Sequence, residues 1–354
     1  MIRLSYIALV ILVLLKLLHI SIKSDFSEVK KKLLLSSISI LSLFFLMEGI
    51  FMYVPKSHGA GGKDCLSARL WFSKYWEINS LGYRDEEIDP NDINKINIMI
   101  IGDSFVAGHG IKDPSKRFSN ILQGKLSNQH RVYNLGLNGA DTQAEYSKLL
   151  QFPKKPNLII LVHHPNDINR VPKQAAALLS PYSVIKLYAS AMAAFVDISL
   201  VDNSYFLNYF YWKFNPVASL DSEVSVAGKE HFESEGGKNE ELAAYLNESM
   251  FTQHVQNLYQ FVLLSREESI PLAVVLFPET WDETIDFSGA FANKPIEAFM
   301  QREGIPVLDL YSTVKSIPIK ERIVNNNDAH PSELTHLKVA EALHDFLIKA
   351  KLTH

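Results

Sequence analysis

Residues 98–105 have the sequence Ile-Met-Ile-Ile-Gly-Asp-Ser-Phe. The apolar run is typical of a buried β-strand, and the glycine after it marks the end of the strand. Asp103 and Ser104 would therefore lie at the carboxyl edge of a sheet, where open α/β sheets bind ligands. The same pattern is typical of a strand–turn–helix connection in which Asp103 or Ser104 caps the helix. The choice between a reactive serine and a simple helix cap depends on whether partners for a nucleophilic serine occur further along the chain.

Strand and helix patterns alternate from this stretch to the end of the chain. Short apolar runs bounded by turn residues predict five strands, at Asn97–Ile101, Arg131–Leu135, Asn157–His163, Pro271–Phe277 and Pro306–Leu310. Helical patterns cover Phe118–Leu126, Thr142–Gln151, His254–Glu268 and Glu333–Ala350. Continuous apolar strands that alternate with helices predict an α/β fold with a mostly parallel sheet covered on both faces.

The composition of the 354-residue chain limits the class of protein. The length allows one sizeable domain with appendages. The formal net charge is −4, and no basic stripe occurs outside the lysines between positions 23 and 32, so nucleic acid is not an expected partner. Cys65 is the only cysteine, which excludes an intrachain disulfide. With no visible partner, it is expected to be an inert packed or linker residue rather than a reactive thiol.

Two apolar segments near the N-terminus predict membrane-spanning helices. Leu33–Val54 is long enough to cross a bilayer, which takes ~20 residues. Leu4–Leu18 is shorter and contains Lys16, which would have to reach the headgroup layer. This segment could instead be a signal peptide, but no small-residue cleavage site follows it. We therefore expect residues 1–55 to form a two-helix transmembrane hairpin.

The charge of the connecting loop predicts the orientation of this hairpin. The loop contains Lys23 and Lys30–Lys32 against Asp25 and Glu28. Because positive charge marks the cytoplasmic side, both termini and the whole α/β domain are expected on the periplasmic or extracellular face. Glu48, near the end of the second segment, is either a functional intramembrane residue or, as we prefer, an interfacial one.

The region between the hairpin and the first strand is predicted to be a linker and lead-in. It covers residues 56–95, and the glycine-rich stretch His58–Lys63 within it is expected to be a flexible connector. The α/β domain is then predicted to cover residues 96–354.

An insertion at about 172–252 interrupts the strand–helix alternation. It contains the apolar and aromatic stretches Ala189–Leu200 and Tyr205–Phe214, followed by an acidic loop around Glu230–Glu241. The insertion could be a lid or substrate platform, could contact the membrane or a partner protein, or could be two extra helices packed on the core.

A serine becomes an effective nucleophile only when a base accepts its proton and a third group orients that base. Residues 327–330, Asn-Asp-Ala-His, lie in a loop between the last predicted strand and the last helix. His330 would be the base and Asp328 its orienter. The alternative is a turn in which Asn327 and Asp328 cap the helix and the histidine is incidental.

Two further loops offer donors for the oxyanion that forms in acyl transfer. Gly139 follows the second predicted strand, where a glycine lets a backbone N–H approach a ligand closely. Asn166 follows the third strand and offers its side-chain amide. Each loop alone is ordinary, but polar clusters that follow successive parallel strands would converge at one edge of the sheet.

These clusters resemble the sequence blocks of SGNH hydrolases, the GDSL esterase and acyltransferase superfamily. The first, second, third and fifth blocks are matched by residues 102–105 (Gly-Asp-Ser-Phe), 134–139 (Asn-Leu-Gly-Leu-Asn-Gly), 166–167 (Asn-Asp) and 328–331 (Asp-Ala-His-Pro). Residues 79–85 are similar to a stretch that often precedes the serine block in membrane-linked members. The resemblance runs from about residue 78 to the end of the last helix and covers the insertion poorly.

The resemblance implies a flavodoxin-like three-layer α/β sandwich with a five-stranded sheet, the SGNH hydrolase fold. It implies Ser104 as nucleophile, with Asp328 and His330 completing a catalytic triad. The backbone N–H groups of Ser104 and Gly139 and the amide of Asn166 would form the oxyanion hole. No cofactor and no metal are expected.

Two positions depart from the family pattern. His164 stands where the third block has glycine, and Asn327 holds the usual position of the triad aspartate. Asp328 is one residue closer to the histidine, as in some members. Because aspartate is the better orienter of an imidazolium, we expect Asp328 to act and keep Asn327 as the alternative.

Other histidines near these blocks allow two interpretations. His336 lies in a helical pattern and is expected to pack rather than to act as a second base. His109 could line the pocket or pack at the surface. The neighbours His163 and His164 suggest a metal, but zinc needs three or four convergent ligands and adjacent strand residues point to opposite faces.

The expected activity is that of a membrane-anchored serine esterase or O-acyltransferase. The resemblance to membrane-linked members favours O-acyl groups, in particular O-acetyl groups, of a cell-envelope polysaccharide. The partners would be an O-acylated carbohydrate or an acyl donor, the lipid bilayer, and for some members a multispanning membrane acyltransferase. A lipid esterase or thioesterase stays open because the insertion is apolar. A non-catalytic glycan-binding or assembly subunit that keeps the fold is the alternative from another class.

Overall fold

The computed structural model describes residues 2–23, 26–59, 65–90, 92, 94–168, 198–214, 244–281 and 292–353. They fall into two compact units. The described residues of Met1–Lys56, Gly61–Trp71 and Leu178–Asn215 form the first unit, and those of Ser57–Ala60, Phe72–Ala177 and Pro216–His354 form the second. The predicted loop around Glu230–Glu241 and most of the predicted stretch Ala189–Leu200 lie outside the described residues.

The second unit contains a five-stranded sheet in which all neighbouring strands are parallel. Its strands are β1 (Ile96–Gly102), β2 (His130–Gly136), β3 (Leu158–His163), β4 (Leu272–Leu276) and β5 (Val307–Asp309). Their order across the sheet is β2-β1-β3-β4-β5. Every strand agrees with its prediction to within one residue at each end, so the predicted α/β fold with a parallel five-stranded sheet is confirmed.

The remaining elements are helices and a short two-stranded ribbon. The helices are α1 (Ile2–Lys23), α2 (Glu28–Phe51), α3 (Leu66–Tyr75), α4 (Ser104–Ala107), α5 (Phe118–Lys125), α6 (Thr142–Gln151), α7 (Ile198–Asn203), α8 (Tyr205–Phe214), α9 (Glu248–Glu267), α10 (Lys294–Arg302), α11 (Tyr311–Lys315), α12 (Ile319–Arg322) and α13 (Glu333–Lys349). The ribbon pairs β6 (Ile323–Asn325) with β7 (Asp328–Pro331) in antiparallel fashion. Helix α9 begins six residues before its predicted start because the side chain of Asn247 caps it by accepting the Met250 N–H.

Helices cover both faces of the sheet, as the continuous apolar strands predict. Ile98 and Ile100 of β1 belong to an apolar cluster that includes residues of α5 and α13. Met99 and Ile101 point the other way and belong to a second cluster with residues of α6, α9 and α10. All four side chains are completely buried. This three-layer arrangement fixes the carboxyl ends of the strands and the loops that follow them.

The lead-in before β1 is more structured than the sequence indicates. It contains α3, and Trp71, Tyr83 and Arg84 are buried. The mixed polar and aromatic composition of this region does not indicate that Tyr83 and Arg84 also contact distant residues, among them Lys148 and Gly108.

In the first unit, α2 is long and apolar enough to cross a membrane, with a mean hydropathy of 2.0 in its most apolar window. Among the described helices it alone meets that criterion, which rests on length and composition. The first predicted span forms α1, and its passage through a membrane stays a prediction.

Candidate active site

Three of the predicted site residues follow adjacent strands. Ser104 is the first residue of α4 directly after β1, Gly139 lies in the turn after β2, and Asn166 lies in the 3-10 turn after β3. Because β1 lies between β2 and β3, the parallel strands bring the three segments to the same edge of the sheet.

Asp103 and Ser104 have different local roles. The Asp103 carboxylate caps α4 by accepting the Phe105 N–H at 2.8 Å. The Ser104 hydroxyl is therefore not needed as a cap. Gly136 of β2 allows the close approach behind them, since the backbone of Ala107 occupies the place where a Cβ at position 136 would lie. The capping interpretation of this turn thus applies to Asp103, and Ser104 is left for other contacts.

His330 connects Ser104 to Asp328. Its Nε2 lies 2.9 Å from the Ser104 Oγ, and its Nδ1 lies 2.6 Å from the Asp328 Oδ1. When Nδ1–H donates to the carboxylate, Nε2 presents its lone pair to the serine hydroxyl. This is the arrangement of nucleophile, base and orienting acid that acyl transfer to a serine requires.

The ribbon explains why Asp328 rather than Asn327 contacts His330. The sequence pattern predicts a loop for these residues, but Asp328 and His330 lie on β7, and residues two apart on a strand share a face. Asn327 precedes the strand and contributes through its backbone. Its N–H donates to the Asn325 Oδ1 at 2.9 Å, and its carbonyl accepts the Gly59 N–H at 2.8 Å.

The Asp328 carboxylate is completely buried. Burial alone would raise its pKa, but the charge and hydrogen bond of His330 oppose it, followed by the charge of His109 and a hydrogen bond from the Ser57 hydroxyl to Oδ2. The pKa of Asp328 is therefore held below its ordinary value. The carboxylate stays ionised and can stabilise an imidazolium at His330.

His109 lies flat against His330. The ring centroids are 4.0 Å apart and the planes differ by 4°. His109 Nε2 lies 3.2 Å from the His58 carbonyl oxygen, and its Nδ1 lies 3.4 Å from the Asn138 amide nitrogen. Burial, and then repulsion from His330, lowers the pKa of His109 to about 4, so its ring is neutral at pH 7. The sequence leaves open whether His109 lines the pocket or packs at the surface. In the structure it is buried and stacks on the ring of His330, the proposed base.

Arg84 fixes the loop that carries His109. Its guanidinium donates to the carbonyls of Gly108 at 2.6 Å and Ile111 at 2.5 Å. Gly108 and Gly110 have φ angles of +71° and +85°, which favour glycine. Arg84 belongs to residues 79–85, the stretch singled out by the family resemblance. That stretch therefore holds the loop of residues 108–111 in place through backbone carbonyls.

The start of the predicted flexible connector, with Ser57 just before it, packs on the site. Ser57 donates its hydroxyl to Asp328, and Gly59 donates its N–H to Asn327. Ser57 and His58 are both buried. No local sequence feature marks Ser57 as a site residue, because its partner lies 271 positions away.

His164, at the position of the family glycine, is a buried partner of acidic groups. Its Nε2 lies 3.5 Å from the Glu279 Oε2, and its Nδ1 lies 4.0 Å from the Asp103 Oδ2. Burial opposes protonation, but the charge of Glu279, its hydrogen bond and the charges of Asp103 and Asp167 outweigh it and raise the pKa of His164 to about 10. The raised pKa favours the protonated form of His164 beside the Asp103 cap.

His163, the last residue of β3, and His164 directly after it do not share a site. His163 points to the other face, where its Nε2 lies 3.0 Å from the His254 Nε2 and 3.2 Å from the Tyr245 hydroxyl. This agrees with the argument that adjacent strand residues diverge. His336 is completely buried, and its Nδ1 accepts the Phe118 N–H at 3.2 Å, so it packs inside the fold.

One group of metal-ligand side chains occurs among the described residues, namely His109, Asp328 and His330. Their donor atoms lie within 4.8 Å of one another. The two imidazole planes are parallel and stacked, so their in-plane lone pairs cannot converge on one ion. The geometry fits a base, His330, that is oriented by the Asp328 carboxylate and packed against His109.

Comparisons with solved structures find lipolytic proteins, acylhydrolases and acetylesterases. The chain is similar to a lipolytic protein of the G-D-S-L family from Veillonella parvula DSM 2008, with 14% identity and a TM-score of 0.41 over 70% of this chain and 96% of that one. It is also similar to a lipase/acylhydrolase from Enterococcus faecalis, with 15% identity and a TM-score of 0.40 over 71% and 94% of the two chains. A carbohydrate acetylesterase family member from Sinorhizobium meliloti has 14% identity and a TM-score of 0.38 over 71% and 96%.

No protein-family model and no curated protein matches the sequence. Identities and TM-scores as low as those of the solved structures assign no activity to this chain. The function is therefore argued from the geometry of Ser104, His330 and Asp328.

Proposed function

We propose that this protein is a serine esterase or O-acyltransferase of SGNH type that works through an acyl-serine. The observation that carries the proposal is the unbroken chain of contacts from the Ser104 hydroxyl through His330 to the buried Asp328 carboxylate. Two departures from the family pattern, the shifted aspartate and His164 in place of glycine, favour the non-catalytic alternative. The contact of Asp328 with the imidazole supports a catalytic role despite the shift.

In the acylation step, the Ser104 Oγ attacks the carbonyl carbon of an ester while its proton passes to His330 Nε2. The carbonyl π electrons move onto the oxygen. When they return, the bond to the leaving alcohol breaks and the alcohol oxygen takes the proton from His330. In the second half, an acceptor hydroxyl gives its proton to His330 and attacks the acyl-serine, and Ser104 recovers its proton on release. Water as acceptor makes the protein an esterase, and a sugar hydroxyl makes it an O-acyltransferase.

The N–H groups of Ser104 and Gly139 and the amide of Asn166 are proposed to hold the oxyanion. Two observations support this role. The three residues follow adjacent strands at one edge of the sheet, and Gly139 has a φ of +70° with no atom within 4 Å of its would-be Cβ position. A backbone N–H in so open a turn is accessible to a ligand.

We further propose a two-pass membrane anchor with the active site on the extracytoplasmic face, acting on O-acyl groups of a cell-envelope polysaccharide. The length and apolar composition of α2 support an anchor, and the basic loop before it supports the orientation. A multispanning membrane acyltransferase would be the source of acyl groups for the transferase form of the reaction.

The nucleophile is tested with a fluorophosphonate probe, which reacts covalently with activated serines. We expect labelling of the wild-type chain and none of Ser104→Ala, with Ser115→Ala, an exposed serine, as the matched control. Persistent labelling of Ser104→Ala would refute the assignment. Release of acetate from an acetylated polysaccharide, compared with transfer from an acetyl donor to a deacetylated one, separates esterase from transferase.

A further inference from the structure

Glu48 is a buried acidic residue near the end of the apolar helix α2. Its carboxylate accepts the Ser204 hydroxyl at 2.7 Å, the Tyr205 N–H at 2.7 Å and the Phe206 N–H at 3.0 Å. These are donors at the start of α8. Glu48 therefore caps another helix, and the negative charge is favourable at that N-terminus.

Aromatic contacts extend the attachment along α8. The ring centroid of Phe206 lies 5.9 Å from that of Phe44, and the centroids of Tyr209 and Phe210 lie 4.6 Å and 5.5 Å from that of Phe51. One face of α8 is thus packed on the C-terminal end of α2, with Glu48 holding its first turn.

The composition of α8 is that of a helix at a membrane surface. At ten residues it is ~15 Å long, too short to span a bilayer. It contains Tyr211, Trp212 and Lys213, residue types that are enriched where lipid meets water. Tyr211 is 50% exposed and points away from the aromatic contacts with α2.

The part of α2 that carries Glu48 also exposes apolar side chains. Leu46 is 59% exposed and Ile50 is 47% exposed. If α2 spans the membrane, these side chains lie in lipid near one surface of the bilayer. Because α8 is bound to α2 at Glu48, it then lies at the same depth in the bilayer as Leu46 and Ile50.

We propose that α8 is a second membrane-contacting element, which lies in the interfacial layer of a phospholipid bilayer with Tyr211 towards lipid and is held on α2 by Glu48. The proposal rests on the membrane anchor under the proposed function. In this arrangement Glu48 connects α2 to α8. Its carboxylate is hydrogen-bonded, so the chain avoids the free-energy cost of an unpaired charge in lipid.

The test uses the full chain in phosphatidylcholine vesicles, with an environment-sensitive fluorophore on a single cysteine. Cys65→Ser removes the native thiol, and Tyr211→Cys, Ile40→Cys and Lys338→Cys each introduce one label site. Ile40 lies in the middle of α2 and is 70% exposed, and Lys338 lies on α13. Nitroxide lipids quench the fluorophore either near the headgroups or deep in the acyl chains.

We expect shallow nitroxides to quench the label at 211, deep nitroxides to quench the label at 40, and neither to quench the label at 338. If 40 is quenched and 211 is not, the interfacial role of α8 is wrong while the anchor stands. If 40 is not quenched at either depth, the anchor itself is wrong.

The role of Glu48 is tested in the same assay. Glu48→Ala removes charge-assisted hydrogen bonds and should lower the ratio of lipid-bound to free α8 by roughly tenfold or more. Shallow quenching at 211 should fall while deep quenching at 40 persists. Glu48→Gln keeps an acceptor and should retain part of the quenching. Unchanged quenching at 211 in Glu48→Ala would overturn the role of Glu48, and retained fluorophosphonate labelling at Ser104 shows that the α/β unit is folded.

Discussion

The imidazole rings of His109 and His330 are stacked in parallel, 4.0 Å apart at their centroids. His330 must become positively charged when it accepts the serine proton. The ring of His109 is kept neutral by burial, so it can lie against an imidazolium without charge repulsion. A neutral aromatic face also attracts a cation and limits rotation of the ring it contacts.

The stack predicts that an aromatic ring at position 109 matters more than its nitrogen atoms. His109→Phe should keep most of the activity, whereas His109→Leu, of similar bulk, should lower kcat by roughly tenfold because a desolvated cation–π contact is worth about 1–2 kcal/mol. Equal rates for both variants would contradict the role of the stack.

The contact between Asp328 and His330 predicts which neighbour orients the base. Asp328→Asn should lower kcat by roughly 10⁴-fold, because the imidazole loses its ionised partner and its tautomer is no longer fixed. Asn327→Ala is the matched control and should keep most of the activity. Esterase assays on an aryl acetate, with melting curves to check folding, measure both. A larger loss in Asn327→Ala than in Asp328→Asn would reverse the assignment.

The proposed oxyanion site predicts a selective effect of Asn166. Asn166→Ala should reduce kcat by roughly 10²–10³-fold with little change in KM, because the amide acts mainly on charge that develops in the transition state. Asn128→Ala, at an exposed asparagine, is the control and should behave as wild type. A change in KM alone would assign Asn166 to substrate binding instead.

The acidic surroundings of His164 predict a loss of stability at high pH. Its folded-state pKa is about 10, above the ~6.5 of an unfolded histidine, so its stabilising charge is fully present below pH ~6.5 and is lost as the pH rises through 10. His164→Gln should therefore show a smaller fall in melting temperature between pH 7 and 10 than the wild type. His344→Gln, at a partly exposed histidine of α13, serves as control. Parallel pH curves for wild type and His164→Gln would show that His164 is not charged in the fold.

The parallel sheet could be predicted because its determinants are local. Apolar runs of strand length, each closed by glycine, proline or polar residues, indicate buried strands whatever their neighbours are. The turn after β1 is equally local, since Gly102, Asp103 and Ser104 are consecutive. Their convergence with Gly139 and Asn166 at one edge of the sheet follows from parallel strand topology.

The partners behind the nucleophile could not be predicted, because they depend on contacts between distant segments. The ribbon of β6 and β7 fixes which of Asn327 and Asp328 faces the imidazole, and a shift of one residue reverses that choice. Ser57 and His109 reach Asp328 and His330 across more than 200 residues of sequence.

For Glu48, too, the local sequence predicts one part of its environment and distant contacts decide the rest. Its place near the end of an apolar segment predicts an interfacial position, and only the tertiary structure identifies the helix that it caps. The sequence by itself therefore determined the sheet, the serine turn and an apolar helix of membrane-spanning length, since these depend on residues close together in the chain. The tertiary structure decided the acid beside the base, the ring stacked on it and the partner of Glu48, since burial and hydrogen bonding act between residues that folding brings together.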